Sequence, residues 1–327
     1  MSKHSYSLYL PGAILMRVET PVPAFGQDVI PEEVRVLTEA YLPGAEFVGV
    51  CAVRGGLHVS TAEPTLTVRF EESSECSLTI KGGEYVLRDT WKGEASLMDL
   101  LFLCYGAARR AWLKRGLYPV HAAALSMGDG GVTLLVGHSG SGKTSVTLSS
   151  VARGHKVFSG NKTLVRIDRI GERTTLTAIA GTRSMTAKAE DVAKHLSLGT
   201  FNAGYQGRSA FYLAREHYAA TAPSVVQSII LPRLNDGVQK CKRMGPVSAV
   251  HKLYPYFLDT VNADIVLSGG KVVLSGEPRK GVREHLAAGL AAAFDVDAAS
   301  GGMQPAISVL EVEGSMDHIN RTLEGKR

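Results

Sequence analysis

The sequence has few cysteines, no long apolar run and no block of charges of one sign. Its four cysteines are far apart and form no CxxC pair, so we expect neither a disulfide framework nor a zinc site. The longest apolar stretch, at residues 97–107, contains Asp99 and is shorter than a membrane-spanning helix. The first fifteen residues are too polar for a secretory signal. These absences favour a cytoplasmic protein.

The charge of the chain is mildly basic and evenly spread. Thirty-six Lys and Arg residues against 31 Asp and Glu residues give a formal charge of +5. Because no basic cluster stands out, we expect neither a nucleic-acid nor a membrane partner. The chain has 327 residues, of which 45% are hydrophobic and 20% charged. That composition is typical of a globular protein, and the length allows one large or two ordinary domains.

The strongest signal is the glycine-rich stretch GHSGSGKTS at residues 137–145. It matches the phosphate-loop pattern G-x-x-x-x-G-K-[ST] through Gly137, Gly142, Lys143 and Thr144. An apolar segment at 131–136 before it predicts a buried strand, and residues 145–152 after it predict a helix. Strand, glycine loop and helix in this order are what phosphate binding requires, because glycines allow the backbone N–H groups to surround an anion next to a helix N-terminus.

The loop therefore predicts binding of a nucleoside triphosphate, ATP or GTP, together with Mg²⁺. Lys143 is expected to reach the β- and γ-phosphates, and the hydroxyl of Thr144 to bind Mg²⁺. His138 has two open roles. It either acts on the phosphates, by donating to them or shuttling a proton, or points away from them. The candidate nucleotide-binding residues are Gly137, His138, Ser139, Gly140, Ser141, Gly142, Lys143, Thr144 and Ser145.

Two domains are predicted. Residues 1–95 read as a small α+β accessory domain without a motif, interpreted as a lid, a scaffold or a dimer interface, so a homo-oligomer stays open. Residues 96–327 read as the nucleotide-binding domain, which begins with a helix over 96–113. The expected elements of the first domain are strands at 5–20, 45–53, 65–70, 77–80 and 85–88 and a helix at 31–42.

In the second domain, residues 118–126 are predicted as one strand that turns at Asp129-Gly130 into the strand before the loop. These two strands should pair antiparallel, unlike the parallel βαβ units of simple phosphate-loop proteins. Aromatic residues Tyr254, Tyr256 and Phe257 are interpreted as core. Further helices are expected at 186–196, 246–262, 278–294 and 317–323, and further strands at 208–213, 225–231 and 306–312.

Three segments together carry a family resemblance: VHAAA at 120–124, the glycine loop, and SVARGHKVFSGNKTLV at 150–165. They resemble the C-terminal domain of HPr kinase/phosphorylase, and more closely the HPr-kinase-related kinases of the phosphoenolpyruvate carboxykinase superfamily. The resemblance implies an α/β fold with a mixed sheet, placed after the small α+β domain. It also implies Mg²⁺-dependent transfer of a phosphoryl group from ATP or GTP to a hydroxyl, which belongs to a serine of a protein or peptide or to a small metabolite.

One departure from that family concerns the chemistry. The family places one or two acids after the strand that follows the Arg-Gly-His turn, whereas this chain has Gly160 and Asn161 there. The amide oxygen of Asn161 can still orient a hydroxyl or bind Mg²⁺. The resemblance places His121 at the active-site end of its strand and Arg208 where a basic residue stabilises charge. The candidate catalytic residues are Lys143, Asn161, Arg208 and His121, and the candidate metal ligands are Thr144 and Asn161. The alternative is a non-catalytic nucleotide-binding regulatory protein derived from such a kinase.

Overall fold

The chain forms a mixed α/β protein with several sheets. The computed structural model describes residues 4–20, 38–48, 65–128, 130–170, 173–187, 193–205, 208–219, 223–262, 265–267, 272–273, 280–294 and 307–325. The helices are α1 (Glu94–Leu113), α2 (Lys143–Ala152), α3 (Pro246–Asn262), α4 (Lys280–Ala293) and α5 (Met316–Leu323). None of these described helices is long and apolar enough to cross a membrane.

The first sheet contains the first six strands among the residues that the structure describes. They are β1 (His4–Leu10), β2 (Ile14–Thr20), β3 (Glu46–Val48), β4 (Leu66–Glu72), β5 (Ser77–Lys81) and β6 (Glu84–Asp89). Their order is β3-β1-β2-β4-β6-β5, with β1 and β2 paired as an antiparallel hairpin. Alternate residues of β2 are buried, as expected when one face of a strand meets a core. Residues 38–41 are helical, and the rest of the helix expected at 31–42 lies outside the described residues.

Helix α1 packs on this first sheet. Its buried residues Leu100, Cys104 and Ala107 recur at helical spacing and share a core with the strands. Near the end of the helix, the fully buried Trp112 donates from Nε1 to the carbonyl of Pro11 at 3.0 Å. This bond ties the helix to the turn between β1 and β2. A domain boundary between residues 95 and 96 stays a prediction.

In the described part of the chain, the larger sheet has nine strands. They are β7 (Leu117–Val120), β8 (Ala122–Ser126), β9 (Val132–Val136), β10 (Lys156–Ser159), β11 (Thr163–Ile170), β12 (Arg173–Gly181), β16 (Ser224–Leu234), β17 (Lys240–Arg243) and β20 (Ser308–Gly314). The long strand β16 belongs to two branches. One branch runs β10-β8-β9-β16-β20-β17, and the other runs β16-β12-β11-β7.

The first branch positions the glycine loop. Strands β9 and β20 flank β16, and both run parallel to it. Strand β8 pairs antiparallel with β9, which confirms the predicted hairpin before the loop. Gly130 in its turn has a φ of +88°, a conformation that favours glycine. Strand β17 pairs antiparallel with β20 at the end of this branch.

Helices cover both faces of this branch. Successive residues of β9 point to opposite faces, so Val136 joins the core with α3 and α4 while Leu135 joins the core with α2 and α5. The remaining strands form two small sheets. They are β13 (Ser184–Ala187), β14 (Gly199–Tyr205) and β15 (Arg208–Leu213), and the pair β18 (Ile265–Val266) and β19 (Val272–Val273).

The single strand predicted over residues 118–126 is wrong. The strand is interrupted at His121. Before it, β7 pairs with β11, and after it, β8 pairs with β9 and β10. Pro119 fits this arrangement, since a proline cannot donate a ladder hydrogen bond and β7 is an edge strand of its branch.

The predicted start of a helix at residue 186 is also wrong. Thr186 and Ala187 belong to β13, which pairs antiparallel with β15. Met185 and Ala187 are buried, so the burial here has the period of two that a strand shows. Pairing between distant segments has overridden the helical pattern of the sequence. Part of the predicted helix, at residues 188–192, lies outside the described residues.

Candidate functional site

The loop at residues 137–145 joins the buried strand β9 to helix α2. All five residues of β9 are buried, and α2 begins at Lys143 with Gly142 as its N-cap. Gly140 and Gly142 have φ angles of +83° and +96°, in the left-handed region that L side chains rarely adopt. The first N–H groups of a helix have no carbonyl partner within the helix. The loop therefore places donors and a positive dipole end where an anion can bind.

The loop is packed closely against itself and against β16. A Cβ atom at Gly137 would lie 2.6 Å from Ser141 Oγ, and one at Gly142 would lie 2.6 Å from Leu234 Cδ1. The Oγ of Ser141 is buried and has no hydrogen-bond partner among the described residues. Such a hydroxyl is costly when unpaired, and a phosphate oxygen would supply the partner. The residues of the loop thus fit a phosphate group.

Lys143, the first residue of α2, contacts the start of the loop through its side chain. Its side chain is buried, and Nζ donates to the carbonyl oxygens of Gly137 at 2.6 Å and His138 at 2.9 Å. Burial lowers the pKa of this ammonium to about 8. Within the described part of the chain Lys143 makes no ion pair, so its charge is balanced by carbonyl dipoles alone. An ammonium held in this way suits a polyphosphate, which brings the missing negative charge.

Thr144 is the residue of the loop that would hold Mg²⁺. It follows Lys143 in the first turn of α2 and is half-buried. Among the described residues, no group of three or more His, Cys, Asp or Glu side chains could hold a metal ion. A magnesium ion at the loop would take most of its ligands from phosphate oxygens and water, which Mg²⁺ commonly does. The ion supplies positive charge that stabilises phosphate oxygens.

A cleft of about 870 Å³ opens beside the loop. This volume lies within the usual range for small-molecule sites. Residues 137–141 form one wall, and β17, α3 and the ends of β16 and β20 form the others. On α3 the lining residues recur at one-turn spacing, as one face of a helix does. They are His251, Lys252, Pro255 and Tyr256.

The prediction that the aromatic residues of α3 belong to the core is confirmed for Phe257. For Tyr256 it describes only part of the environment of the side chain. Phe257 is fully buried in the core below α3. Tyr256 packs against that core but also lines the cleft, where its ring centroid lies 4.9 Å from that of His138. His138 therefore contacts the wall of the cleft, which neither of its two predicted roles included.

The strand registers bring His121 and Asn161 to the same edge of the sheet as the loop. Ala122 pairs with Val136, so the preceding residue, His121, stands opposite the start of the loop, with its side chain exposed. Ser159, near the end of β10, pairs with Ala124 of β8, so the chain that follows returns to this edge. Since β10 is two strands from β9, about 10 Å separates these two strands.

The side chain of Asn161 contacts the N-terminal part of the chain. Its Nδ2 donates to the carbonyl of Ala40 at 3.4 Å, and its backbone N–H donates to Thr182 Oγ1 at 2.9 Å. Nothing in the local sequence indicates the first contact, because Ala40 is distant along the chain. The predicted roles of Asn161 in orienting a hydroxyl and binding Mg²⁺ stay predictions.

Lys162 lies beside two aromatic rings that sequence reasoning did not connect with it. Its Nζ is 3.5 Å from the ring centroid of Tyr105 and 5.1 Å from that of Tyr41. Burial, together with the nearby charge of Arg109, lowers the pKa of Lys162 to about 7. The faces of the rings attract a cation, so this contact links the edge near Asn161 to α1 and to the helical residues 38–41.

Arg208 belongs to a different sheet from the strands that lead to the other three candidate catalytic residues. It begins β15, the middle strand of the sheet β13-β15-β14, and its backbone pairs with Tyr205. Its side chain lies outside what the structure describes, and its role as a charge stabiliser stays a prediction. The structure thus brings Lys143, His121 and Asn161 to one edge of the larger sheet.

Comparisons with known proteins assign no family. No family model matches the chain, and no curated protein matches it. Among solved structures, the chain is similar to the HPr(Ser) kinase/phosphatase from Coxiella burnetii, with a TM-score of 0.27 and 9% sequence identity. That match covers 64% of this chain and 92% of the other. A likeness at this level assigns neither a fold family nor an activity to this chain.

Proposed function

We propose that the chain is an HPr-kinase-like phosphotransferase that binds ATP or GTP with Mg²⁺ at residues 137–145. The proposal rests on the loop itself, where a buried Lys143 without an ion pair among the described residues lies beside left-handed glycines and the unpartnered hydroxyl of Ser141. Phosphoryl transfer depends mainly on positioning and charge stabilisation. The adjacent cleft has room for an acceptor.

In the proposed reaction the acceptor hydroxyl oxygen attacks the γ-phosphorus. The bond between that phosphorus and the oxygen that bridges it to the β-phosphate breaks, and ADP or GDP leaves. The hydroxyl proton leaves late, to water or to an oxygen of the transferred phosphoryl group, as a loose transition state permits. Lys143 would stabilise the phosphate charge, the amide oxygen of Asn161 would orient the hydroxyl, and His121 would stand at the same edge. Arg208 would stabilise the transferring group.

The second candidate is a regulatory protein that binds nucleotide without transferring phosphate. The observation that favours it is the hydrogen bond from Asn161 Nδ2 to the carbonyl of Ala40. At the position where the resembled family has acids, this chain uses an amide in a contact with its own N-terminal part. A side chain engaged in that way serves structure as well as any chemistry.

Calorimetric titration with ATP or GTP and Mg²⁺ tests nucleotide binding. We expect Lys143→Ala to weaken binding roughly 10- to 150-fold, the factor that follows from losing hydrogen bonds to a charged group worth about 1.5–3 kcal/mol. Lys156→Ala is the matched control, because Lys156 is an exposed lysine at the start of β10. Equal affinity of the Lys143 variant and the parent protein would refute the proposal.

A transfer assay separates the two candidates. The parent and Asn161→Asp are incubated with γ-labelled ATP and Mg²⁺ over a panel of peptides and small hydroxyl compounds, and formation of ADP is measured in parallel. Labelling of an acceptor supports the kinase. Tight nucleotide binding without labelling or hydrolysis in either protein supports the regulatory candidate.

A further inference from the structure

The wall of the cleft opposite the loop carries positive charge. All four residues of β17 are exposed, and two of them, Lys240 and Lys242, line the cleft. Residues two apart in a strand point to the same face, so both ammonium groups belong to the face of the sheet that the cleft covers.

The carboxylates nearest to these lysines already have other partners. In the strand register Lys240 stands opposite Glu313, and Lys242 stands opposite Glu311. Glu311 forms an ion pair with Lys252, in which 2.7 Å separates Oε1 from Nζ. Glu313 accepts a hydrogen bond from Asn235 at 2.8 Å and lies 3.7 Å from the Nε of Arg233. Neither Lys240 nor Lys242 makes an ion pair with any residue that the structure describes.

The cleft is therefore positive on balance. Its lining includes four cationic side chains, Arg233, Lys240, Lys242 and Lys252, against two carboxylates. In a concave site with walls of low dielectric constant, such an excess of one sign attracts ligands of the opposite sign. The charge adds to that of the loop, which lines the same cleft.

The geometry sets a distance between the two charged walls. The strands run in the order β9-β16-β20-β17, and three spacings of about 4.8 Å separate β9 from β17 by about 14 Å. Because the side chains of Lys240 and Lys242 line the cleft, the gap that a ligand has to bridge is shorter than this separation of the strands. A ligand that contacts both walls is therefore of small-molecule size, and the volume of the cleft agrees with this size.

We propose that Lys240 and Lys242 bind the anionic group, a phosphate or a carboxylate, of a small hydroxyl-bearing acceptor. The hydroxyl of that acceptor points toward the loop. The anion site stands on the geometry of β17, whereas its use for phosphoryl transfer rests on the kinase proposed above. The acceptor class is then a small anionic metabolite and not a neutral sugar or an uncharged peptide serine.

Lysines on an edge strand have a second use, because they discourage association between sheets of different molecules. If that were their only role, replacing them would leave anion binding unchanged. The two roles therefore give opposite results in a binding experiment.

The test is calorimetric titration with glycerol 3-phosphate, which offers a phosphate and hydroxyls, and with glycerate, which offers a carboxylate and hydroxyls. Titrations use the parent and Lys143→Ala, in which the loop competes less for the anion. In each background Lys240→Gln and Lys242→Gln are introduced together. We expect at least one probe to bind, and its affinity to fall at least tenfold when both lysines are replaced. The control is the pair Lys81→Gln and Lys156→Gln, which removes two exposed lysines elsewhere.

Thermal unfolding checks that the Lys240→Gln/Lys242→Gln protein is folded. Unchanged probe affinity in this protein, or no binding of either probe, would overturn the inference. Lysine-dependent binding of an acidic peptide without binding of either probe would overturn the choice of a small acceptor. If the parent binds a probe through these lysines but binds neither ATP nor GTP, the proposed kinase fails and the anion site stands.

Discussion

Replacing Gly142 by alanine perturbs the loop in two ways, through its backbone conformation and through a clash with Leu234. The residue has a φ of +96°, and an alanine in the left-handed region costs about 1–2 kcal/mol. Its Cβ would also lie 2.6 Å from Leu234 Cδ1 and 2.7 Å from Cγ. Moving that leucine costs about 1–2 kcal/mol, the lower part of the range for overpacking, because Leu234 is 38% exposed and can shift. We expect Gly142→Ala to lower stability by about 2–4 kcal/mol in total.

Two companion variants isolate these contributions. Gly140 has a φ of +83° with open space around its Cβ position, so Gly140→Ala should lose only the 1–2 kcal/mol or so of backbone strain. In a Leu234→Ala background the clash is absent, so the cost of Gly142→Ala should fall by about 1–2 kcal/mol, measured as a coupling energy. Denaturant unfolding of the four variants and the parent gives these differences. A Gly142→Ala protein no less stable than Gly140→Ala, or a coupling near zero, would refute the reasoning.

Three further predictions concern stability. Lys162 has a pKa of about 7 in the folded chain against an ordinary value of 10.5, so between these values the unfolded chain binds more protons and stability should rise with pH. Lys162→Met should flatten that rise in denaturant unfolding from pH 7 to 9, although Lys143 contributes in the same direction. Trp112→Phe should lower the free energy of unfolding by about 1–3 kcal/mol, because the carbonyl of Pro11 loses its donor. Calorimetric titration of this variant should give the ATP affinity of the parent. Asn320→Ala should cost about 2–3 kcal/mol in the same unfolding assay, because it breaks bonds to Ser149 and Ser150 and leaves a buried hydroxyl unpaired; a loss below 1 kcal/mol would contradict it.

The strand, glycine loop and α2 were predictable from the sequence because their determinants are local. Glycines at the positions of left-handed backbone, an apolar strand before them and a helix after them are consecutive in the chain, although the helix begins at Lys143, two residues before its predicted start. The bounds predicted for α3, residues 246–262, are also confirmed. Its hydrophobic spacing is that of a long amphipathic helix, and such patterns locate helices well.

The walls of the cleft were not predictable in the same way. They come from β16, β17, β20 and α3, which follow the loop by many residues and meet it only through sheet pairing. A sequence pattern identifies the apolar face of α3 but does not say that Tyr256 at its margin meets His138. The break at His121 was missed for a similar reason, since the apolar alternation continues across it while the pairing partner changes from β11 to β9.

The presence of an amide at position 161 has a structural explanation that does not involve phosphate. Its Nδ2 donates to the carbonyl of Ala40, and an ionised aspartate, which accepts only, would place two acceptors against each other. Asn161→Asp should therefore cost about 1 kcal/mol of stability through the lost bond, which is long at 3.4 Å. In a kinase that lacks a base, the same change supplies one, and base catalysis is worth about 10²–10⁴-fold. Denaturant unfolding and the transfer assay read these effects separately. A less stable but faster variant would mean that the chain exchanged catalytic rate for the contact with residues 38–41, whereas a variant that loses stability and shows no transfer would mean that the contact is the function of this residue.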